Sequence, residues 1–89
     1  MIQKQLRIVN KLGLHARAAA KFVSTASRYQ SRIEVERNGQ RVNGKSIMGV
    51  MMLAASQGTK INLEVEGGDE KAAVTALTDL VADKFGEGE

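Results

Sequence analysis

Hydrophobic and polar side chains alternate along four segments of the chain, and each of these segments predicts a β-strand. The alternation has a period of two residues, which is typical of strands with one buried face and one solvated face. The pair Asn38-Gly39 accepts positive φ at both positions, so we expect a tight hairpin there. The four predicted strands cover residues 2–9, 32–37, 40–42 and 60–66.

The apolar spacing changes to that of a helix in three other segments. The first helix runs from Ala16 to about Arg28, and its alanines favour the helical state. Ser46 is a favoured N-cap for a second, short helix in a segment that Gly58 closes. Asp69 is expected to cap a third helix of about four turns, which Gly86 ends, and residues 87–89 are expected to form a tail. The apolar side chains expected to be buried on the first and third helices are Ala19, Phe22, Val23, Ala26, Ala73, Val74, Leu77, Leu80 and Val81.

The order of these elements, β-α-β-β-α-β-α, predicts an α+β fold. Because each strand has one polar face, one side of the sheet is expected to face water, and the three helices then cover the other side. The result is a two-layer, open-faced sandwich. With 89 residues, the chain is expected to form a single domain over residues 1–89.

Composition and charge exclude several classes of function. The chain has no cysteine, which excludes disulfides and thiolate metal sites, and its single histidine argues against a metal site built on histidines. The longest apolar run, residues 47–55, is too short to cross a bilayer, and the amino terminus lacks the apolar stretch of a signal peptide. We therefore expect a cytoplasmic protein. The formal net charge of +3 favours acidic partners at least as much as nucleic acid.

The one histidine, His15, lies where the first helix is expected to begin. The first N–H groups of a helix lack partners within the helix and attract anions, and Arg17 adds a guanidinium at the same place. A nucleophilic nitrogen beside such an end suits phosphoryl transfer, whose catalysis is mostly positioning and charge stabilisation. The alternative is a surface histidine that only caps or hydrogen-bonds locally. The sequence has no Gly-x-Ser-x-Gly motif, which disfavours a hydrolytic triad.

Two segments of the sequence resemble the signatures of a known family. Residues 13–19, Gly-Leu-His-Ala-Arg-Ala-Ala, resemble the active-site segment of HPr, the histidine-containing phosphocarrier family of the bacterial phosphoenolpyruvate-dependent phosphotransferase system. Residues 44–51, Gly-Lys-Ser-Ile-Met-Gly-Val-Met, resemble the regulatory serine segment of that family. The separation of the two segments and the order of the elements also match, so the resemblance covers essentially the whole chain.

The resemblance implies a fold, a function and site residues. The family fold has an antiparallel sheet with strand order 1-4-2-3. The family's histidine takes a phosphoryl group from phosphorylated enzyme I on its Nδ1 nitrogen and passes it to an enzyme IIA domain, and this role falls on His15. Arg17 would help to hold the phosphoryl oxygens. Family members carry no cofactor. The resemblance also implies a phosphocarrier, which is modified and then discharged, and not an enzyme.

Two positions depart from the family's pattern. Ala18 stands where many members have proline, and since alanine is an excellent helix former, the helix start should be little affected. Leu12 stands where many members have a small polar residue, so a side chain that would orient the imidazole or cap the helix is missing. The second departure bears on how the site is tuned and not on which residue reacts.

The resemblance also offers Ser46 a role beyond capping. From the residues alone, Ser46 is an N-cap and needs no further function. Some family members have their corresponding serine phosphorylated by an HPr kinase/phosphorylase, and a phosphate at a helix N-terminus suits the helix dipole. Phosphorylation of Ser46 is expected to weaken the complex with enzyme I and so to slow the reaction at His15.

Three methionines, Met48, Met51 and Met52, cannot all point inward from one short helix. Either one or two of them belong to the core, or they form an exposed surface, and methionine suits surfaces that bind several partners. The expected apolar centre of a docking surface comprises Leu14, Ala20, Ile47, Met48 and Met51, and its expected basic rim comprises Arg17, Lys21, Lys45 and Arg28. A monomer is expected, because the docking surface must stay free.

Two other functions are open at this point. A small basic α+β domain could bind RNA, but such sheets stack bases on aromatic side chains, and the only aromatic residues, Phe22, Tyr29 and Phe85, lie outside the predicted strands. The chain could also act as a regulator through Ser46 alone, with no relay role. The presence of His15 argues against this, since regulatory relatives in the family can lack the histidine.

Overall fold

Four strands and three α-helices, connected by short loops, make up the chain. The structure is a computed structural model, and it describes residues 1–89. The strands are β1 (Ile2–Arg7), β2 (Arg32–Arg37), β3 (Gln40–Asn43) and β4 (Lys60–Glu66). The helices are α1 (Ala16–Ala26), α2 (Ile47–Met52) and α3 (Glu70–Ala82), and a 3-10 turn, Lys84–Gly86, comes after α3. None of these helices has the length and apolar character needed to cross a membrane.

The strands form one antiparallel sheet in the order β1-β4-β2-β3, which confirms the predicted α+β sandwich. The inner strand β4 pairs with two neighbours, so that Val65 lies opposite Ile2 on one side and Ile33 on the other. β2 and β3 form the predicted hairpin, in which Asn38 and Gly39 have φ angles of 51° and 81°. This register puts the apolar residues of β1, β2 and β4 on one face of the sheet.

The core lies between that apolar face and the helices. α3 packs on β1 and β4, and α1 packs against α2 and α3. Phe22 of α1 and Phe85 of the 3-10 turn are the largest fully buried side chains. Leu80, expected in the buried stripe of α3, is only partly buried and lies at the edge of the core. Through Phe85, the core includes a residue from the last few positions of the chain.

The opposite face of the sheet is open to water and carries charged and amide side chains. Arg41 Nη1 of β3 donates to Glu64 at 2.6 Å and to Glu34 at 3.0 Å. Asn62 donates to Glu36 at 2.8 Å. None of the strands carries an aromatic residue, so this face lacks the stacking surface that the RNA-binding alternative requires.

Four predicted element ends are shifted. α3 ends at Ala82 and not at Gly86, and the 3-10 turn Lys84–Gly86 takes the place of its last turn. β1 ends at Arg7, although Ile8 still exchanges backbone hydrogen bonds with the loop at Gly58 and Thr59. α1 ends at Ala26, earlier than predicted, because the next residues make 3-10-type backbone bonds. β3 continues one residue beyond its predicted end. These shifts leave the order of the elements unchanged.

The prediction that the side chain of Asp69 caps α3 is wrong. Its carboxylate makes no hydrogen bond to the helix. It accepts instead from the backbone N–H groups of Gln30 at 2.8 Å and Ser31 at 3.0 Å, and from the Ser31 hydroxyl. These bonds, that of the Ser31 hydroxyl first, hold the pKa of Asp69 below its usual value. Asp69 thus fastens the start of α3 to the chain just before β2, because its carboxylate is engaged by the donors of Gln30 and Ser31 and not by the N–H groups of its own helix.

Candidate functional site

His15 stands at the N-cap position of α1, where a tight turn presents it. Gly13 has a φ of 69°, and a Cβ at this position would lie 2.5 Å from the Ala55 carbonyl oxygen. The N–H of Gly13 donates to the Asn10 carbonyl at 3.2 Å, and the N–H of Leu14 donates to the Ala55 carbonyl at 2.9 Å. Only glycine fits this turn without strain, and the turn fixes where α1 begins.

The imidazole of His15 does not cap the helix but faces the carboxyl-terminal end of the chain. Its Nε2 is in hydrogen-bond contact with Oε2 of Glu87. The other oxygen of Glu87 accepts from Nδ2 of Asn10 at 3.0 Å, and the same Asn10 amide donates to the Gly13 carbonyl at 2.8 Å. Asn10 is fully buried, and the side chain of Glu87 is only 13% exposed. We call these four residues, Asn10, Gly13, His15 and Glu87, the His15 cluster.

Hydrogen bonds to Glu87 determine the charge of its carboxyl group and, as a consequence, which nitrogen of the imidazole carries the proton. The bond from Asn10 and, to a smaller extent, the bond from His15 hold the pKa of the Glu87 carboxyl below its usual value. At neutral pH the carboxylate is therefore only an acceptor. Its contact with Nε2 requires the imidazole proton to lie on that nitrogen, an assignment that comes from the bonding pattern. In the neutral ring, Nδ1 then keeps its lone pair free.

A cavity of about 660 Å³ lies beside His15. Lys11, Arg17 and Lys21 line it with cations, and Glu87 and Glu89 line it with carboxylates. No carboxylate pairs with the exposed Arg17, so its guanidinium is free to bind an anion. Nζ of Lys21 donates to the Phe85 carbonyl at 2.6 Å, which holds this ammonium near the cavity. Both predicted cations, Arg17 and Lys21, therefore lie at the same site as His15.

Acidic and histidine side chains do not gather into a metal site. No group of three or more His, Cys, Asp or Glu side chains lies together as a metal ion would require. The chemistry of the site comes from its imidazole, its cations and the start of α1.

Ser46 caps α2, which confirms its predicted structural role. Its Oγ accepts from the N–H of Gly49 at 3.1 Å, and the residue is partly exposed. The neighbouring Lys45 was predicted to belong to a basic rim, but its Nζ donates to the Tyr29 carbonyl at 2.7 Å. Its charge is therefore tied to the backbone, whereas Arg28 is exposed. Of the two predicted rim cations outside α1, Arg28 is thus freer than Lys45 to contact a partner.

The methionines of α2 all face outward. Met48 is 70% exposed and Met52 is 62% exposed, and Met51 and Ile47 are exposed to a smaller degree. The alternative that one or two of these methionines belong to the core is wrong, because Val50 is the one residue of this six-residue helix that is buried. We call the four exposed residues, Ile47, Met48, Met51 and Met52, the methionine surface.

The expectation that Leu14 contributes to the apolar docking centre is wrong. Leu14 is only 5% exposed and belongs to the core. Its N–H is bonded to the Ala55 carbonyl, and this bond helps to keep the residue turned inward. Ala20 is exposed, as the docking centre requires. Leu12, which was not expected there, is exposed on the chain just before His15.

Sequence reasoning missed Asn10 and Glu87. Residues 87–89 were expected to be a free tail, but three successive residues with positive φ, Lys84, Phe85 and Gly86, turn the chain back toward His15. The sequence carried one signal of this arrangement. An aromatic residue just beyond a helix end and close to the chain end indicates that the end is anchored in the core. Nothing in the pattern indicated that Asn10, in a polar connector, is buried.

Proteins of known family resemble the chain over its whole length. Residues 2–83 match the sequence model of the PTS HPr family, which is described as the PTS HPr component phosphorylation site. The chain belongs to this family. It is 58% identical to the phosphocarrier protein HPr of Neisseria meningitidis serogroup B over the full length of both chains. This confirms the family that residues 13–19 and 44–51 indicated, that of the phosphocarrier of the phosphotransferase system.

Solved structures of the family have the same architecture. The crystal structure of HPr-C-His from Thermoanaerobacter tengcongensis matches with a TM-score of 0.94 and 53% identity, covering 98% of each chain. A crystal structure of an HPr dimer from the same organism matches with a TM-score of 0.79 and 53% identity, covering 98% of this chain and all of that one. The relatives are named as phosphocarrier proteins and not as enzymes.

The substitution Gly13→Ala should destabilise the fold more than Gly58→Ala. Both glycines have positive φ, 69° and 88°, so each substitution adds left-handed strain of about 1–2 kcal/mol. Only at Gly13 does the new Cβ also collide with backbone, since nothing lies within 4 Å of a Cβ at Gly58. Urea unfolding of the two variants measures the difference, and equal losses of stability would show that the turn before His15 has room for a side chain.

Proposed function

We propose that His15 of this chain relays a phosphoryl group within the phosphotransferase system. The donor is phosphorylated enzyme I, and the acceptor is a histidine of an enzyme IIA domain. The observation that supports this most directly is the position of His15 at the start of α1, with its Nε2 engaged by Glu87 and the guanidinium of Arg17, which has no carboxylate partner, lining the same cavity. The chain acts as a single HPr-like domain over residues 1–89, as a cytoplasmic monomer, and without a cofactor.

Each group at the site has a part in the transfer. Nδ1 of His15 attacks phosphorus and accepts the phosphoryl group, and the start of α1 and Arg17 stabilise the negative charge on its oxygens. The side chain of Arg17 is exposed and no carboxylate holds it, so that it can follow the group between donor and acceptor. The chain binds and releases the same group without converting a small molecule, so it is a carrier.

The partners dock on the methionine surface next to this site. The surface is exposed and apolar, and methionine side chains adapt to partners of different shape. Ala20 is exposed on α1, which packs against α2, and we assign it to the same docking surface. The exposed cations Arg17, Lys21 and Arg28 are assigned to its basic rim, which would meet acidic partners. Lys45 has a smaller part, because its ammonium is bonded to the Tyr29 carbonyl.

Ser46 is a regulatory phosphorylation site for an HPr kinase/phosphorylase. It precedes Ile47 of the methionine surface, and its hydroxyl is partly exposed although it caps α2. A phosphate there is tolerated at the helix start but sets negative charge beside a surface that meets acidic partners. Phosphorylation therefore lowers the affinity for enzyme I.

Incubation with phosphoenolpyruvate and enzyme I should add one phosphoryl group to the wild-type chain and none to His15→Ala. The added mass, read by intact-protein mass spectrometry, should be lost in acid and stable in base, as for a phosphohistidine. A known HPr substrate of the same enzyme I serves as the positive control. No gain by the wild-type chain while the control is phosphorylated, or an equal gain by His15→Ala, would contradict the relay.

The substitution Ser46→Asp should slow phosphorylation of His15 by about tenfold or more, because the new carboxylate opposes an acidic partner. Aspartate is itself a good N-cap, so α2 should remain folded. Ser46→Ala is the matched control: it loses the cap, at about 1 kcal/mol of stability, but keeps the surface charge unchanged. Its initial rate should stay close to that of the wild type. Equal rates for Ser46→Asp and Ser46→Ala would exclude an electrostatic effect of this position.

A further inference from the structure

The last residues of the chain form a strap that is bent back under strain. Residues 84–89 begin with three successive left-handed residues, of which Lys84 and Phe85 are not glycine. Left-handed backbone costs free energy at such residues, and it persists only where the surroundings hold it. The strap is held by the buried Phe85 side chain and by the Lys11 N–H, which donates to the Glu89 carbonyl at 2.9 Å.

This strained geometry delivers one side chain, that of Glu87, to the reacting residue. Glu87 Oε2 meets Nε2 of His15, and Glu87 Oε1 is held by the buried amide of Asn10 at 3.0 Å. Both carboxylate oxygens are thus engaged, and the side chain is largely shielded from water. A glutamate in a solvated tail would make neither of these contacts. A role at His15 therefore explains why the strained backbone at Lys84 and Phe85 is kept.

We propose that Glu87 is a positioning residue for the reaction at His15. Held by Asn10, its carboxylate keeps the imidazole proton on Nε2 and directs the Nδ1 lone pair toward the incoming phosphoryl group. This inference rests on the proposed function of His15 as the phosphoryl acceptor. It assigns to the carboxyl-terminal strap a part in the transfer itself.

The carboxylate acts where charge develops in the transfer. Nδ1 donates its lone pair to phosphorus while the bond from phosphorus to the donor atom of enzyme I breaks, and the electron pair of that bond returns to the donor. The ring of His15 keeps its proton on Nε2 and becomes positively charged as the new bond forms. Glu87 stabilises this charge through the Nε2 hydrogen bond, as a buried carboxylate does for the histidine of a catalytic triad. On discharge, the lone pair returns to Nδ1 and the same contact is restored.

The matched variants Glu87→Gln and Asp83→Asn test the proposal. Both replace one carboxylate near the end of the chain by an amide, but only Glu87 contacts His15, and the exposed Asp83 lies outside the cavity beside it. With phosphorylated enzyme I as the donor, Glu87→Gln should lower the kcat of His15 phosphorylation by about tenfold or more with KM little changed, by analogy with residues that orient metal-bound histidines. Asp83→Asn should stay within about twofold of the wild type. A loss confined to KM, an equal loss in both variants, or a faster reaction of Glu87→Gln would overturn the proposal.

A measurement without phosphoryl transfer separates this proposal from the proposed function. Nitrogen-15 shifts of the His15 ring, recorded at neutral pH on the unphosphorylated chain, report which nitrogen carries the proton. The wild type and Asp83→Asn should show the proton on Nε2, and Glu87→Gln should show a measurable population with the proton on Nδ1, because the glutamine amide can donate to Nε2. Identical tautomer populations in all three proteins would overturn the positioning role. Normal tautomers with no phosphorylation of the wild type would instead contradict the relay.

Discussion

A buried amide, that of Asn10, holds together the segments on which the site depends. One of its hydrogen bonds goes to the Gly13 carbonyl in the turn that starts α1, and the other goes to Glu87 near the chain end. Because each of the two N–H groups of this amide makes a hydrogen bond, Asn10 links the turn before α1 to the end of the chain beside His15. The left-handed turn at Lys84 and Phe85 is tolerated because the buried Phe85 ring and the Asn10 amide hold the end of the chain in place.

In the proposed function, the same layer of helices links His15 to the surface on which partners dock. His15 begins α1 and Ser46 begins α2, and these two helices are packed against each other. Val50 anchors α2 in the core, which leaves its methionines with no inward position to occupy. Ser46 directly precedes Ile47 of the methionine surface, so we expect a charge added at Ser46 to lie beside that surface while Val50 keeps α2 in place. In the proposed function this proximity allows one small fold to combine transfer and regulation.

The periodicity of the sequence was sufficient to predict the sheet, the helices and their order, because each strand shows an alternating face and α1 a clear apolar stripe. His15, Arg17 and the Ser46 cap were predicted from residue chemistry and from family resemblance, and they lie where expected. The interactions that failed prediction are long-range. Asp69 bonds to Ser31 and not to its own helix, and Leu14 is buried in the core. Glu87 contacts His15, which lies 72 positions earlier in the sequence. Local patterns carry no information about such contacts, because the fold creates them.

The nitrogen of His15 that carries the phosphoryl group tests the geometry of the site most directly. Nitrogen-15 correlation spectra of the phosphorylated chain, labelled at histidine, distinguish substitution at Nδ1 from substitution at Nε2. Because Glu87 occupies the Nε2 side of the ring, the phosphoryl group should be found on Nδ1, with the proton remaining on Nε2. A phosphoryl group on Nε2 would mean that Glu87 leaves the ring before transfer, and it would contradict the arrangement in which Asn10 and Glu87 present Nδ1.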